Sequence, residues 1–136
     1  MTAVPSLTWS VTGQAGLEWL TQIGETLAET WEVVPDVPED DRLMFEVAIF
    51  EVAGNMIEHS VPTPTWYQFE LDVNPDRLAA VLRDNAGRTT VSPEAARMPD
   101  EMADGGRGLA LARSALDILQ YDGAEGNCWT LVRLLP

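Results

Sequence analysis

Glu51, Asn55 and His59 recur every fourth residue in the stretch Glu51-Val-Ala-Gly-Asn55-Met-Ile-Glu58-His59. On a helix that spacing puts all three on one stripe. A carboxylate placed there can act as a general base, and one turn further on an amide oxygen can coordinate a hard cation such as Mg²⁺. The same spacing also fits the solvated face of an amphipathic helix, and His59 near the helix end suits capping and the helix dipole. A second group is Asp84-Asn85-Ala86-Gly87. An aspartate leaving a strand into a glycine-bearing loop can accept the exocyclic amine of a purine, though an ordinary Asx turn has the same composition. The third is Gly105-Gly106-Arg107-Gly108-Leu109. Glycines opening a helix free its first N–H groups for phosphate oxygens, and an arginine adds a fork of donors; a flexible loop running into a helix is the plainer alternative.

Periodicity and Pro/Gly punctuation predict the elements that must position these groups. Leu7–Val11 reads as a short strand. Leu17, Leu20, Ile23, Leu27 and Trp31 then repeat at helical spacing and predict an amphipathic helix ending before Pro35. Beyond an acidic, proline-containing loop over Asp36–Asp41, a densely apolar helix runs from about Asp41 to His59 and stops before Pro62. It is apolar on more than one face and is expected to lie across the centre of the domain. Thr65–Val73 and Leu78–Asp84 read as strands joined by the turn Asn74-Pro75-Asp76. Asn85–Gly106 is a long loop of the kind that compact domains keep for function. Leu109–Leu119 predicts a helix, and Trp129–Leu135 a closing strand after the turn Gly123–Asn127. This order predicts an α/β fold with helices on one face of a mixed, mainly antiparallel sheet.

Composition closes several routes. The chain has 136 residues and a formal net charge of −14 at pH 7, and its eight basic residues are all arginine. Without lysine there is no Walker A loop, no Schiff-base lysine and no strand lysine of the eukaryotic protein-kinase type. The negative charge opposes nucleic acid, whose binding rests on cations at phosphates. One histidine and one cysteine exclude structural zinc and an intrachain disulfide. Residues 1–5 lack the pattern of a signal peptide and the apolar runs are short, so a cytoplasmic protein that avoids membranes is expected, as one domain over 1–136. Cys128 reads as a buried strand residue without chemistry. Trp9, Trp19 and Trp31 would suit an interface if exposed and the core if not.

In order and spacing, the three groups resemble the ATP-binding domain shared by histidine kinases, gyrase B, Hsp90 and MutL. Within that superfamily the likeness is greatest to the stand-alone bacterial anti-sigma factor serine/threonine kinases. Glu51-x-x-x-Asn55 with Glu58-His59 looks like the N box, Asp84 like the adenine-binding aspartate, and Gly105–Leu109 like the second glycine box. Leu116-Asp117 through Tyr121 to Asn127-x-Trp129-Thr130-Leu131 looks like the closing segment. The resemblance implies a two-layer, Bergerat-type sandwich holding ATP and Mg²⁺ between a helix and a lid. Carried over, Asn55 holds Mg²⁺, Glu51 takes the proton from an attacking hydroxyl and Asp84 reads adenine, with Ala86 and Gly87 beside it. Gly105, Gly106, Arg107, Gly108 and Leu109 cradle phosphates, and Thr130 supports the adenine site through water. The implied partners are a sigma factor and a STAS-domain antagonist phosphorylated on serine or threonine, and the implied assembly is a homodimer. The family places glycine where Ala86 stands, which motivates an alternative: a catalytically inactive interaction module of the same fold.

Overall fold

β1 (Leu7–Gly13) feeds α1 (Gly16–Val33) and α2 (Glu39–His59), after which β2 (Tyr67–Asn74) and β3 (Arg77–Asp84) form a hairpin. Then come α3 (Gly105–Ala115), β4 (Ile118–Asp122) and β5 (Asn127–Leu134). The computed structural model describes residues 6–60, 62–86 and 105–136. The strands form one sheet in the order β1-β2-β3-β5-β4. Every neighbouring pair is antiparallel. The α/β, helix-on-sheet expectation therefore holds, but among the described strands the sheet has no parallel pair.

One missed element accounts for that difference. The run Leu116–Leu119 reads as a continuation of α3, yet the helix ends at Ala115 and a strand begins at Ile118. Had β5 followed α3 directly, a crossover would have laid it parallel to β3. The added β4–β5 hairpin reverses it. What stops the helix is distant in sequence: the Arg133 guanidinium on β5 donates to the Ala115 carbonyl at 2.7 Å and to Asp41 of α2 at 2.8 Å. The Asp117 amide donates to the Val132 carbonyl, and its carboxylate accepts the Leu134 amide, so the ladder starts there.

Alternation along the strands gives the sheet one covered and one open face. Phe69, Leu71, Leu78, Leu82, Trp129 and Leu131 point into the core. They meet Trp19, Ile23 and Leu27 of α1 and Phe45, Ile49, Val52 and Met56 of α2. Trp19 is fully buried and stacks on Tyr67 with ring centroids 4.9 Å apart. Trp9 and Trp31 are half-buried against the same core, and Trp31 donates its indole N–H to Glu46. The exposed-aromatic reading of these tryptophans is thus not met. α2 is the middle helix, packed against α1, α3, β3 and β5, but its apolar character all round does not mean burial all round. No helix among the described residues is long and apolar enough to cross a membrane.

Candidate functional site

Asp84 is the last residue of β3 and is 2% exposed. Ser60, at the C-terminal cap of α2, donates its hydroxyl to Asp84 Oδ2 at 3.0 Å. Asn127, the first residue of β5 and the register partner of Asp84, donates its amide to Asp84 Oδ1 and to Ser60 Oγ, both at 3.0 Å. The Asn127 carbonyl oxygen accepts the Tyr121 hydroxyl. The Ala86 amide also donates to Asp84 Oδ1, which is the hydrogen bond an Asx turn makes. Burial pushes the Asp84 carboxyl above its usual range, and the donors from Ala86, Ser60 and Asn127 pull it partly back. A carboxylate offers about four acceptor positions. The Asn127 backbone amide adds a fourth donor, so the carboxylate is held firmly at the end of β3.

This network ties the end of α2 to the ends of β3 and β5. One further constraint fixes the corner: Gly126 has φ of +90°, and a Cβ there would lie 2.4 Å from the Asp84 carbonyl oxygen. Glycine is required at that position by both conformation and space.

Asn55 lies about 7.5 Å back along α2 from Ser60 at 1.5 Å per residue. It is 6% exposed, and neither its Oδ1 nor its Nδ2 has a hydrogen-bond partner among the described residues. A buried amide with both ends unsatisfied costs about 1–3 kcal/mol, so in a native protein it points to a ligand. Glu51, one turn earlier, is half-buried, and His59 sits half-buried in the last turn, where a cation would suit the helix dipole. The stripe is therefore not a solvated face. α3 closes on it from the side: a Cβ on Gly108 would stand 2.4 Å from Glu51 Oε2, so the carboxylate lies directly over the glycine. The glycine run is not a lead-in to α3 but its first turn, since the helix begins at Gly105. Its first amides have no partner within the helix.

Two of the three sequence groups thus meet directly, and the third is anchored to the same helix. Residues 15–133 match the family of histidine kinase-like ATPase domains. The chain belongs to that family. No curated protein matches it. A histidine kinase-like ATPase domain binds ATP, and the residues present fit that group: a buried carboxylate at the end of β3, an amide with no partner among the described residues that could meet a hard cation, and a helix start that could meet phosphates.

Within this ATPase domain one expected residue drops out. Thr130 pairs with Val81, and the burial alternation of β5 turns both toward the open face with Arg83, away from Asp84. The residue that meets Asp84 from β5 is Asn127, which the closing motif includes without a role, and beside it is Ser60, which no motif includes. Asn127 reads as the end of a turn because Gly and Asn are turn residues, which starts the strand two positions late and leaves its pairing with Asp84 out of view. Cys128 is likewise half-buried on the open face rather than in the core. With Trp66, Arg83, Asp122 and Glu125 it lines a depression of about 510 Å³ at that end of the sheet. Ala86 is 4% exposed, packed inside rather than lining an open loop. Gly87 and most of the long loop lie outside the described residues, as do the side-chain surroundings of Gly105, Gly106 and Arg107. Leu109 is fully buried in the core, so only its backbone is available to a ligand.

Proposed function

We propose that this ATPase domain is an anti-sigma regulatory factor with protein serine/threonine kinase activity. It transfers the γ-phosphoryl group of ATP to a hydroxyl on a STAS-type antagonist and sequesters a sigma factor in its alternate state. On this reading it acts in the cytoplasm as a homodimer, and its acidic surface favours basic partner segments. The observation that carries the kinase chemistry is Asn55, buried and unpartnered among the described residues, one turn from a carboxylate that overlies the start of α3.

Each residue then has a task. Asp84 accepts the adenine amine, its position held by Ser60 and Asn127. The Asn55 oxygen holds Mg²⁺, which when bound neutralises charge on the phosphates. The first amides of α3 take phosphate oxygens. Glu51 accepts the proton of the attacking hydroxyl as the new O–P bond forms and the bond to the bridging oxygen breaks, releasing ADP. With no lysine in the chain, charge neutralisation falls to helix amides, the metal and arginine.

Calorimetric titration with ATP and Mg²⁺ tests the reading. Binding that weakens in excess EDTA is expected, together with phosphate incorporation into an antagonist that Glu51→Ala abolishes while nucleotide still binds. Absence of binding heat at high protein concentration sinks the kinase and leaves the interaction module.

A further inference from the structure

Ser60 closes α2 and is buried where that helix meets the ends of β3 and β5. Its oxygen accepts one N–H of the Asn127 amide, and its own O–H goes to Asp84 Oδ2. Chemistry fixes which way these groups point. A carboxylate only accepts, so Asn127 turns its NH2 toward Asp84, and the Tyr121 hydroxyl donates to the amide oxygen on the other side. Tyr121 is itself packed on Trp129, with ring centroids 4.8 Å apart. Both amide hydrogens of Asn127 are thereby committed, one to Asp84 Oδ1 and one to Ser60. With its oxygen engaged by Asn127, Ser60 has a single proton to place, and the network aims it at Asp84.

Asp84 has four donors, about as many as a carboxylate can accept. An incoming amine must therefore displace one of them. The main-chain amides of Ala86 and Asn127 are held by the Asx turn and by the register of β3 with β5. The Asn127 side chain is held on three sides, by Tyr121, Ser60 and Asp84. Ser60 alone donates through a hydroxyl that turns about a single bond. It is the donor to Oδ2, whereas Ala86 and the Asn127 side chain share Oδ1. Turning the hydroxyl away frees Oδ2 and keeps the hydrogen bond from Asn127. A buried O–H without an acceptor is costly, however. The exchange is favourable only for a ligand that brings an acceptor next to its amine.

We infer that Ser60 sets the base specificity of this site: its hydroxyl leaves Asp84 for the ring nitrogen beside the exocyclic amine of adenine, while Asp84 Oδ2 takes that amine. One hydrogen bond inside the protein becomes two to the ligand. A base with a carbonyl and a ring N–H in those positions, such as hypoxanthine, reverses donor and acceptor and sets its oxygen against the carboxylate. The inference rests on the reading of Asp84 as the adenine-binding residue. It gives the discrimination to a side chain at the end of α2 rather than to Thr130, which faces the open side of the sheet.

Calorimetric titration of the full chain with nucleosides tests this without phosphoryl transfer. Adenosine is compared with purine riboside, which lacks the amine, and with the analogue that has carbon in place of the adjacent ring nitrogen. Wild-type protein should bind each analogue about tenfold more weakly than adenosine, the order of one hydrogen bond. In Ser60→Ala, adenosine and the carbon analogue should bind alike, because no hydroxyl is left to strand, while purine riboside stays weaker. A merely structural role for Ser60 would shift all three ligands together and leave the ratios intact. Equal binding of adenosine and the carbon analogue to wild-type protein, or a tenfold preference that survives Ser60→Ala, would overturn the inference and leave Asp84 as the adenine residue. Purine riboside binding as tightly as adenosine, or no binding of adenosine, would overturn the reading of Asp84 and the inference with it.

Discussion

The two sides of α2 invert the usual amphipathic pattern. Facing inward are Glu51, Asn55 and His59, half-buried or buried, while facing outward are Leu43, Val47 and Phe50, each more than a third exposed. A helix that served the fold alone would exchange these sets. Each side thus carries a standing cost: an unsatisfied amide on one, water-exposed apolar surface on the other. The difference between them is chemical. The inward side suits a small polar ligand and a cation, and the outward side offers only apolar surface. Both costs fall on the helix that also forms the middle of the core, where rigidity best holds them in place.

The largest expected effect breaks the inward side. Glu51→Gln keeps the shape over Gly108 but removes the base, so phosphoryl transfer should fall by about 10²–10⁴ with nucleotide affinity largely kept. Rates measured at saturating ATP check this. A loss of less than about tenfold would assign the proton to another group and leave Glu51 as a packing residue. Next is the anchor at the base of that stripe. Gly126→Ala must abandon a φ of +90° or press on the Asp84 carbonyl, and chemical denaturation should report a loss of about 1–3 kcal/mol. Because Asn127 follows directly, adenosine affinity should fall as well.

Much of this arrangement could be read from the chain. The three motif groups, both long helices and the β2–β3 hairpin follow from local spacing and from Asn74-Pro75-Asp76, because local chemistry decides them. What was not legible depends on residues distant in sequence. Arg133 ends α3 by bonding Ala115 and frees the following run to become β4. Asn127 becomes a site residue only because the register sets it opposite Asp84. Ser60 looks like a residue beyond the helix end until the fold brings β3 to it. The direction of the polar stripe on α2 was equally open. Glu51 and Asn55 share a stripe at any orientation, and only the packing of α1 and α3 on either side decides which stripe is inward.

Asn55 sharpens the comparison by separating function from stability. Asn55→Leu keeps the branched, four-heavy-atom shape and removes two polar atoms that lack partners among the described residues, so it should raise the unfolding free energy by about 1 kcal/mol while abolishing Mg²⁺-dependent ATP binding. A loss of stability would mean that the amide is already satisfied. Acidity acts on the neighbouring carboxylate with opposite signs. The folded-state pKa of Asp84 is raised, so its contribution to stability is fully present below the unfolded value and is lost as pH rises through the folded one. Acceptance of the adenine amine needs the ionised form. Lowering pH toward that raised value should therefore weaken adenosine binding while the Asp84 contribution to stability grows, and Asp84→Asn should remove both trends.

The smallest effect belongs to the outward side. Leu43→Gln replaces an apolar residue that is 53% exposed with another good helix former, so the stability of the isolated chain should stay within about 0.5 kcal/mol. Phe45, two positions along the same helix and fully buried, should cost about 3–5 kcal/mol as Phe45→Ala. Paired thermal melts of the two variants measure the contrast. If Leu43→Gln instead cost more than about 1 kcal/mol, the stripe would be part of the packing of α1 on α2. If it cost nothing, the leucine has no task in the packing of the isolated chain.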